Sequence, residues 1–173
     1  MAAIHACSLP LQALLARYAN TGAYADCYVA EVGRAVSQAE FVEAFYTGAV
    51  FKIERWLLRL FLSKPCNDAQ VRQLAAGQLD TFSAWRVEGR AADQLLLCDI
   101  NGRTRSWLMV VPLAGETGAG TRLYFGSAVV PVMDRSTGQA RMGWAFKALL
   151  GFHRLYSRVL LGSACARLVR RRR

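Results

Sequence analysis

Only two imidazoles occur in the 173 residues, His5 and His153, so any histidine-dependent nucleophile or general base must use one of them. His5 lies close to the N-terminus. His153 sits beside the apolar stripe of the last helical pattern, where Asp99, Ser127 or Cys98 could face it. A histidine in that setting reads as a general base or, equally, as a packed and hydrogen-bonded core residue. No G-x-S-x-G elbow accompanies it. Neither H-x-x-x-H nor H-x-x-E spacing occurs, and the five cysteines (Cys7, Cys27, Cys66, Cys98, Cys165) contain no C-x-x-C pair. No metal and no cofactor is expected. The thiols read as small buried hydrophobes in a reducing compartment.

Two further groups carry chemical interest. Asp99 has apolar neighbours and should stand opposite Thr104, which would suit a proton donor or acceptor. It also adjoins Asn101-Gly102, where an acid commonly accepts from turn amides, and the turn role is favoured. Trp85, Trp107, Tyr124 and Tyr156 fall on elements expected to meet beneath the last helix, with Arg105 and His153 nearby. With Asp99 they would line a pocket for an apolar molecule with a polar or acidic end. The plainer reading of each is an aromatic core. Residues 115–120 (GETGAG) superficially match a phosphate loop, but no lysine follows and the next pattern is a strand, so they read as a connection.

These residues are positioned by a helical first half and an extended second half. Residues 9–18 read as a short helix, with Leu11, Leu14 and Leu15 on one face. Residues 25–32 read as a strand. Ser37 and Glu40 form a capping box that starts a helix at Gln38, with Phe41, Val42, Phe45 and Tyr46 inward and a break at Thr47-Gly48. Helical spacing resumes through Ile53, Trp56, Leu57, Leu60 and Phe61 until Pro65. Asn67 or Asp68 caps a short helix ending at Gly77. Residues 81–88 form one strand. Residues 95–100 and 103–111 flank Asn101-Gly102, a strong two-residue hairpin signal that pairs Cys98 with Arg105, Leu97 with Ser106, Leu96 with Trp107 and Leu95 with Leu108. Residues 121–132 add a strand, residues 135–138 a turn, and residues 141–168 a long helix. That helix buries Ala145, Leu149, Phe152, Tyr156 and Val159 or Leu160, and turns Lys147, Arg154 and Arg158 outward. The hairpin is apolar on both faces, so both are covered, by helices on each side or by a partner subunit in a homodimer.

The expected fold is α+β: a curved antiparallel sheet of about five or more strands against a long C-terminal helix, with further helices between the first and second strands. Residues 1–169 form one domain, and residues 170–173 a basic tail. Tyr24-Ala25-Asp26 entering the first strand, the broken helix ending near Lys64-Pro65, the stretch Gly102-Arg103-Thr104-Arg105-Ser106-Trp107-Leu108, and a late hairpin before a long helix carry a resemblance over nearly the whole chain. On these features it resembles a bacterial family of unknown function related to the START-like, helix-grip (polyketide cyclase/dehydrase-like) superfamily. The resemblance implies a sheet gripping a helix around an apolar cavity. It implies no activity and no catalytic residues, and the strand count falls short of a full helix-grip sheet.

A hydrophobic fraction of 54% against 20% charged residues marks a well-cored chain. No apolar run reaches the roughly 18 residues needed to span a bilayer; residues 49–62 are broken by Lys52, Glu54, Arg55 and Arg59. A secretory leader is not expected, which points to the cytoplasm. Net charge is +10, but Arg167, Arg170, Arg171, Arg172 and Arg173 supply five of these charges. No RNP aromatics or finger spacing accompany them, so specific nucleic-acid binding is not expected. Three readings remain, the first favoured: a domain binding a small apolar or lipid-like ligand in a cavity between sheet and C-terminal helix; an enzyme of cyclase, dehydratase or hydrolase type using His153; or contact with proteins or anionic membranes through Arg55, Arg59, Arg170, Arg171, Arg172 and Arg173.

Overall fold

A computed structural model describes residues 2–19, 21, 23–48, 50–51, 67–114, 120–133, 140–141 and 144–170, with backbone alone for 132–133, 140–141 and 144–152. In chain order the elements are β1 (Ile4–Ala6), α1 (Ala16–Ala19), β2 (Tyr24–Val32), α2 (Gln38–Tyr46), α3 (Asp68–Ala75), β3 (Thr81–Phe82), β4 (Trp85–Ala91), β5 (Gln94–Asp99), β6 (Thr104–Leu113), β7 (Gly120–Val129), β8 (Val132–Met133), β9 (Ala140–Arg141) and α4 (Trp144–Arg170). Seven strands form one open antiparallel sheet in the order β1-β2-β7-β6-β5-β4-β3, and β8 pairs with β9. The fold is α+β, as the sequence indicates, with more strands than the roughly five legible in it.

Local chemistry explains the main boundaries. Ser37 accepts from the Glu40 amide while the Glu40 carboxylate accepts from the Ser37 amide, and Asn67 and Gln70 repeat the device at α3. The hairpin register is the expected one: Cys98↔Arg105, Leu97↔Ser106, Leu96↔Trp107 and Leu95↔Leu108. Gly102 supplies the positive φ of +70° that the turn requires. Asp99 Oδ1 accepts from the amides of Arg103 (2.6 Å) and Thr104 (2.8 Å), so the carboxylate closes the turn.

Two expectations change. Residues 81–88 are not one strand; they fold over at Ser83, whose φ is 53°, into β3 and β4. Residues 9–18 are mostly turns, with helix only over Ala16–Ala19, because the helical face of Leu11 is not used and Leu11 is exposed. His5 lies in β1, paired with Val29. The helical pattern at Ile53–Phe61, the stop at Pro65, most of the 115–120 connection and the 135–138 turn lie outside the described residues.

Each sheet face has its own core. On one face Tyr28, Ala30 and Val32 of β2, Leu123 and Phe125 of β7, Leu108 of β6 and Leu95 and Leu97 of β5 pack against α2, α3 and α4. From α4 this layer receives Leu160, Leu161, Ala164, Cys165 and Leu168, all buried. Tyr156 and Leu160 face inward as expected, whereas Val159 is exposed. The opposite face carries Cys27, Leu96, Trp107, Met109 and Ala128, covered by Ala13 and Leu15 with Leu9, Leu14, Ala16 and Tyr18 at the margin. The chain's own N-terminal segment therefore covers this face. Gln94 fastens it: Oε1 accepts from the Leu14 amide and from Trp107 Nε1, both at 2.9 Å, and Nε2 donates to the Gln12 carbonyl at 3.1 Å. A bulge between Val87 and Gly89 turns Glu88 to the same face, where it pairs with Arg105 at 3.1 Å and accepts from the Tyr18 hydroxyl.

Candidate functional site

Where β1 leaves the sheet, a cleft opens between β2 and α4. Strand β1 pairs as far as Ala6↔Tyr28, and one further bond joins Cys7 N–H to the Cys27 carbonyl at 3.0 Å. Beyond this point Tyr24, Asp26 and Tyr28 of β2 face Arg154, Leu155 and Arg158 of α4 across about 450 Å³ of open volume. The strand alternation puts the three β2 side chains on one face, and helical spacing puts Arg154 and Arg158 one turn apart. Both arginines and Leu155 are exposed, as outward-facing positions of an amphipathic helix should be.

Beneath the cleft, a polar network links β2, β7 and α4. Asp26 and Ser127 are direct partners in the β2–β7 ladder. Asp26 Oδ1 accepts from Ser127 Oγ at 2.6 Å and from the Ser127 amide at 3.2 Å, and Oδ2 accepts from the Tyr24 hydroxyl at 3.2 Å. Ser127 Oγ lies 2.7 Å from His153 Nε2, which is itself 3.6 Å from Asp26 Oδ2. Ser127 has a single hydroxyl proton, and an ionised carboxylate at 2.6 Å can only accept it. The Oγ lone pair must then receive a proton from His153 Nε2. This proton balance assigns neutral His153 to the Nε2–H tautomer, leaving Nδ1 as an acceptor.

That order is wrong for a serine nucleophile. A hydrolytic triad needs the histidine lone pair on the serine proton and the carboxylate on the other ring nitrogen. Here the carboxylate holds the serine proton, the histidine donates, and Ser127 is only 3% exposed. The network instead fixes three elements and the cleft wall. The Tyr24 hydroxyl is pushed up from its ordinary pKa, mainly by burial and further by the Asp26 charge, with a hydrogen bond from Arg154 opposing. Tyr28 is raised by burial and by Asp26. Both phenols therefore stay neutral at physiological pH. The Arg154 Nε–H donates to the Tyr24 hydroxyl at 3.4 Å, and the Arg158 guanidinium lies 5.6 Å from the centre of the Tyr28 ring. The cleft thus combines two aromatic walls, two guanidinium groups and one carboxylate already occupied by donors.

The residues singled out in the sequence do not converge. Of the three partners considered for His153, Ser127 meets it. Asp99 is committed to its turn, and Cys98 lies in the register of Arg105, away from α4. Tyr156 packs on the helix-side core, as does Trp85, whose Nε1 has no hydrogen-bond partner among the described residues. Trp107 and Tyr124 pack against each other at a tilt of 42° in the opposite core, ring centres 6.2 Å apart, so they do not sit beneath α4. Arg105 also belongs to that face, with its guanidinium 4.6 Å from the Tyr18 ring centre. Sequence reasoning missed Tyr24, Asp26, Arg154 and Arg158 as a group. The Tyr24-x-Asp26 and Arg154-x-x-x-Arg158 spacings were available signals, but nothing local joins a strand to a helix about 130 positions later.

Among the described residues no three His, Cys, Asp or Glu side chains form a metal-binding group, and no helix is long and apolar enough to cross a membrane. Arg170 is exposed at the end of α4; Arg55, Arg59, Arg171, Arg172 and Arg173 lie outside the described residues. No protein-family model matches the chain, and neither does any curated protein.

Proposed function

We propose that the domain binds a small amphipathic molecule, apolar with an acidic end, in the cleft between β2 and α4. The observation that carries this reading is the pairing of about 450 Å³ of open volume with two guanidinium groups, Arg154 at the Tyr24 hydroxyl and Arg158 over the Tyr28 ring. That volume is in the range of small-molecule sites. Asp26 does not cancel the attraction, because one carboxylate, held by Ser127 and Tyr24, faces two guanidinium groups. The acidic end would pair with Arg154 and Arg158, and the apolar part would lie along Leu155 and Tyr28. A helix-grip domain of START-like kind, working in the cytoplasm, is the architectural reading we favour; the open antiparallel sheet and packed C-terminal helix support it. The ligand lies at the margin of the layer, since the described part of α4 is packed against the sheet.

One observation favours a second reading, an enzyme of cyclase, dehydratase or hydrolase type using His153. Its imidazole is held by Ser127 with Nδ1 left as an acceptor, and among the described residues Nδ1 has no partner. His153→Gln would then abolish turnover without unfolding the chain. The deciding experiment is native mass spectrometry of the purified protein with organic extraction. A bound acid released on denaturation, and lost from an Arg154→Gln/Arg158→Gln variant, supports the binding reading. A bare mass together with no affinity for added carboxylic amphiphiles would reject it.

A further inference from the structure

Cys7 and Cys27 lie opposite each other where β1 departs from β2. The Cys7 amide donates to the Cys27 carbonyl at 3.0 Å, continuing the ladder past Ala6↔Tyr28. The Cys7 thiol points at Cys27 Sγ across 3.4 Å. Directly paired antiparallel residues have Cα atoms about 5.5 Å apart, inside the range a disulfide bridges. Closing the sulfurs to roughly 2.05 Å asks only for small side-chain rotations. Cys7 is half-buried and borders the open cleft, whereas Cys27 is buried behind it. Cys98 and Cys165 are buried in β5 and α4, on other parts of the molecule.

We propose that Cys7 and Cys27 are a dithiol that hydrogen peroxide converts into a cross-strand disulfide. The Cys7 thiolate attacks a peroxide oxygen, the O–O bond breaks, and the departing hydroxide takes up a proton as water. Cys7 is then a sulfenic acid. Cys27 loses its proton and attacks the Cys7 sulfur. The S–O bond breaks, and the second hydroxide leaves as water with that proton. Two thiols give up two electrons in total, and one peroxide becomes two waters. Burial pushes the Cys27 thiol up, with Cys7 adding to the effect, which slows the second step and leaves the sulfenic acid open to trapping. The disulfide pins the edge strand at the point where it leaves the sheet, and so fixes one wall of the cleft. None of this depends on what the cleft holds.

The test is peptide mapping and intact mass of the reduced full chain after a stoichiometric dose of hydrogen peroxide and alkylation of remaining thiols. The expected product is lighter by two hydrogens, yields a linked Cys7–Cys27 peptide, reverts with dithiothreitol, and melts about 5–10 °C higher than the reduced protein. Dimedone added with the peroxide should label Cys7 and suppress the link. Cys27→Ala should accumulate the Cys7 sulfenic acid, although the wild-type map decides the matter even if that variant folds poorly. A map showing only oxygen adducts, Cys7 still open to alkylation, or a link between other cysteines would overturn the proposal.

Discussion

Replacing Asp26 by Asn tests whether the network under the cleft holds the molecule together. The Asp26 side chain is 9% exposed and accepts from the Ser127 hydroxyl, the Ser127 amide and the Tyr24 hydroxyl. Asparagine keeps one oxygen for Ser127 but loses the charge, and its amide nitrogen turns a donor toward the Tyr24 hydroxyl. Hydrogen bonds to an ionised group contribute about 1 kcal/mol more than neutral ones, so the two Ser127 bonds alone place the cost at about 2 kcal/mol. For a chain of this length that lowers Tm by about 4–8 °C. Ser127→Ala removes the hydroxyl and leaves His153 Nε2–H without its acceptor, costing about 1–2 kcal/mol. Because the two changes break one shared chain of bonds, the double variant should cost about 1 kcal/mol less than the sum. Urea and thermal melts of the four proteins give the cycle. Strict additivity would show that Asp26 and Ser127 do not act as a unit. A ¹⁵N spectrum placing the neutral His153 proton on Nδ1 would equally refute the proton assignment.

Other consequences are independent of that network. Gly126→Ala would place a methyl 2.8 Å from Leu15 Cδ2 and 2.9 Å from both the Asp26 carbonyl and Trp107 Cε3, so it should destabilise by about 2–3 kcal/mol in chemical denaturation. Gln94→Ala orphans the Leu14 amide and the Trp107 indole, and should cost about 2–4 kcal/mol while speeding hydrogen exchange at Leu14. Burial alone would raise Glu88, but hydrogen bonding from Tyr18 and the Arg105 charge prevail and hold it below its ordinary 4.5. A depressed acid stabilises the folded state above its unfolded pKa and loses that contribution as pH falls through the folded value. The stability gap between wild type and Glu88→Gln should therefore be full at neutral pH and close as pH drops below 4.5. Burial also pushes the Cys165 thiol up to about 11, so the folded protein should resist alkylation there at pH 8.

Local signals explain what was legible in the sequence. Ser37 with Glu40, and Asn101-Gly102, act through neighbours in the chain, and they located α2 and the β5–β6 register correctly. Strands β1 and β3 have no such signature, since three and two residues become strands only through partners supplied by the sheet. The hairpin alternation revealed that both faces are apolar, but alternation cannot say which face receives α4. Trp107 and Tyr124 were accordingly expected on the wrong side, and the N-terminal segment, tied down by Gln94, was not expected to be the second cover. The candidate site was least legible because it is joined by long-range pairing: Ser127 lies 101 positions beyond Asp26 and 26 before His153. Arg154 and Arg158 were correctly placed outward, yet an outward arginine is ordinarily just solvated, and only the gap left by β1 gives these two a cleft to face.

The most direct test of the proposed binding site is a ¹H–¹⁵N NMR titration with decanoate, using decanol as the uncharged control. The expected result is saturable shifts at Tyr24, Tyr28, Arg154, Leu155 and Arg158, far weaker effects of decanol, and affinity reduced about tenfold or more in the Arg154→Gln/Arg158→Gln variant. Shifts confined to another surface, or the same affinity for acid, alcohol and variant, would contradict it.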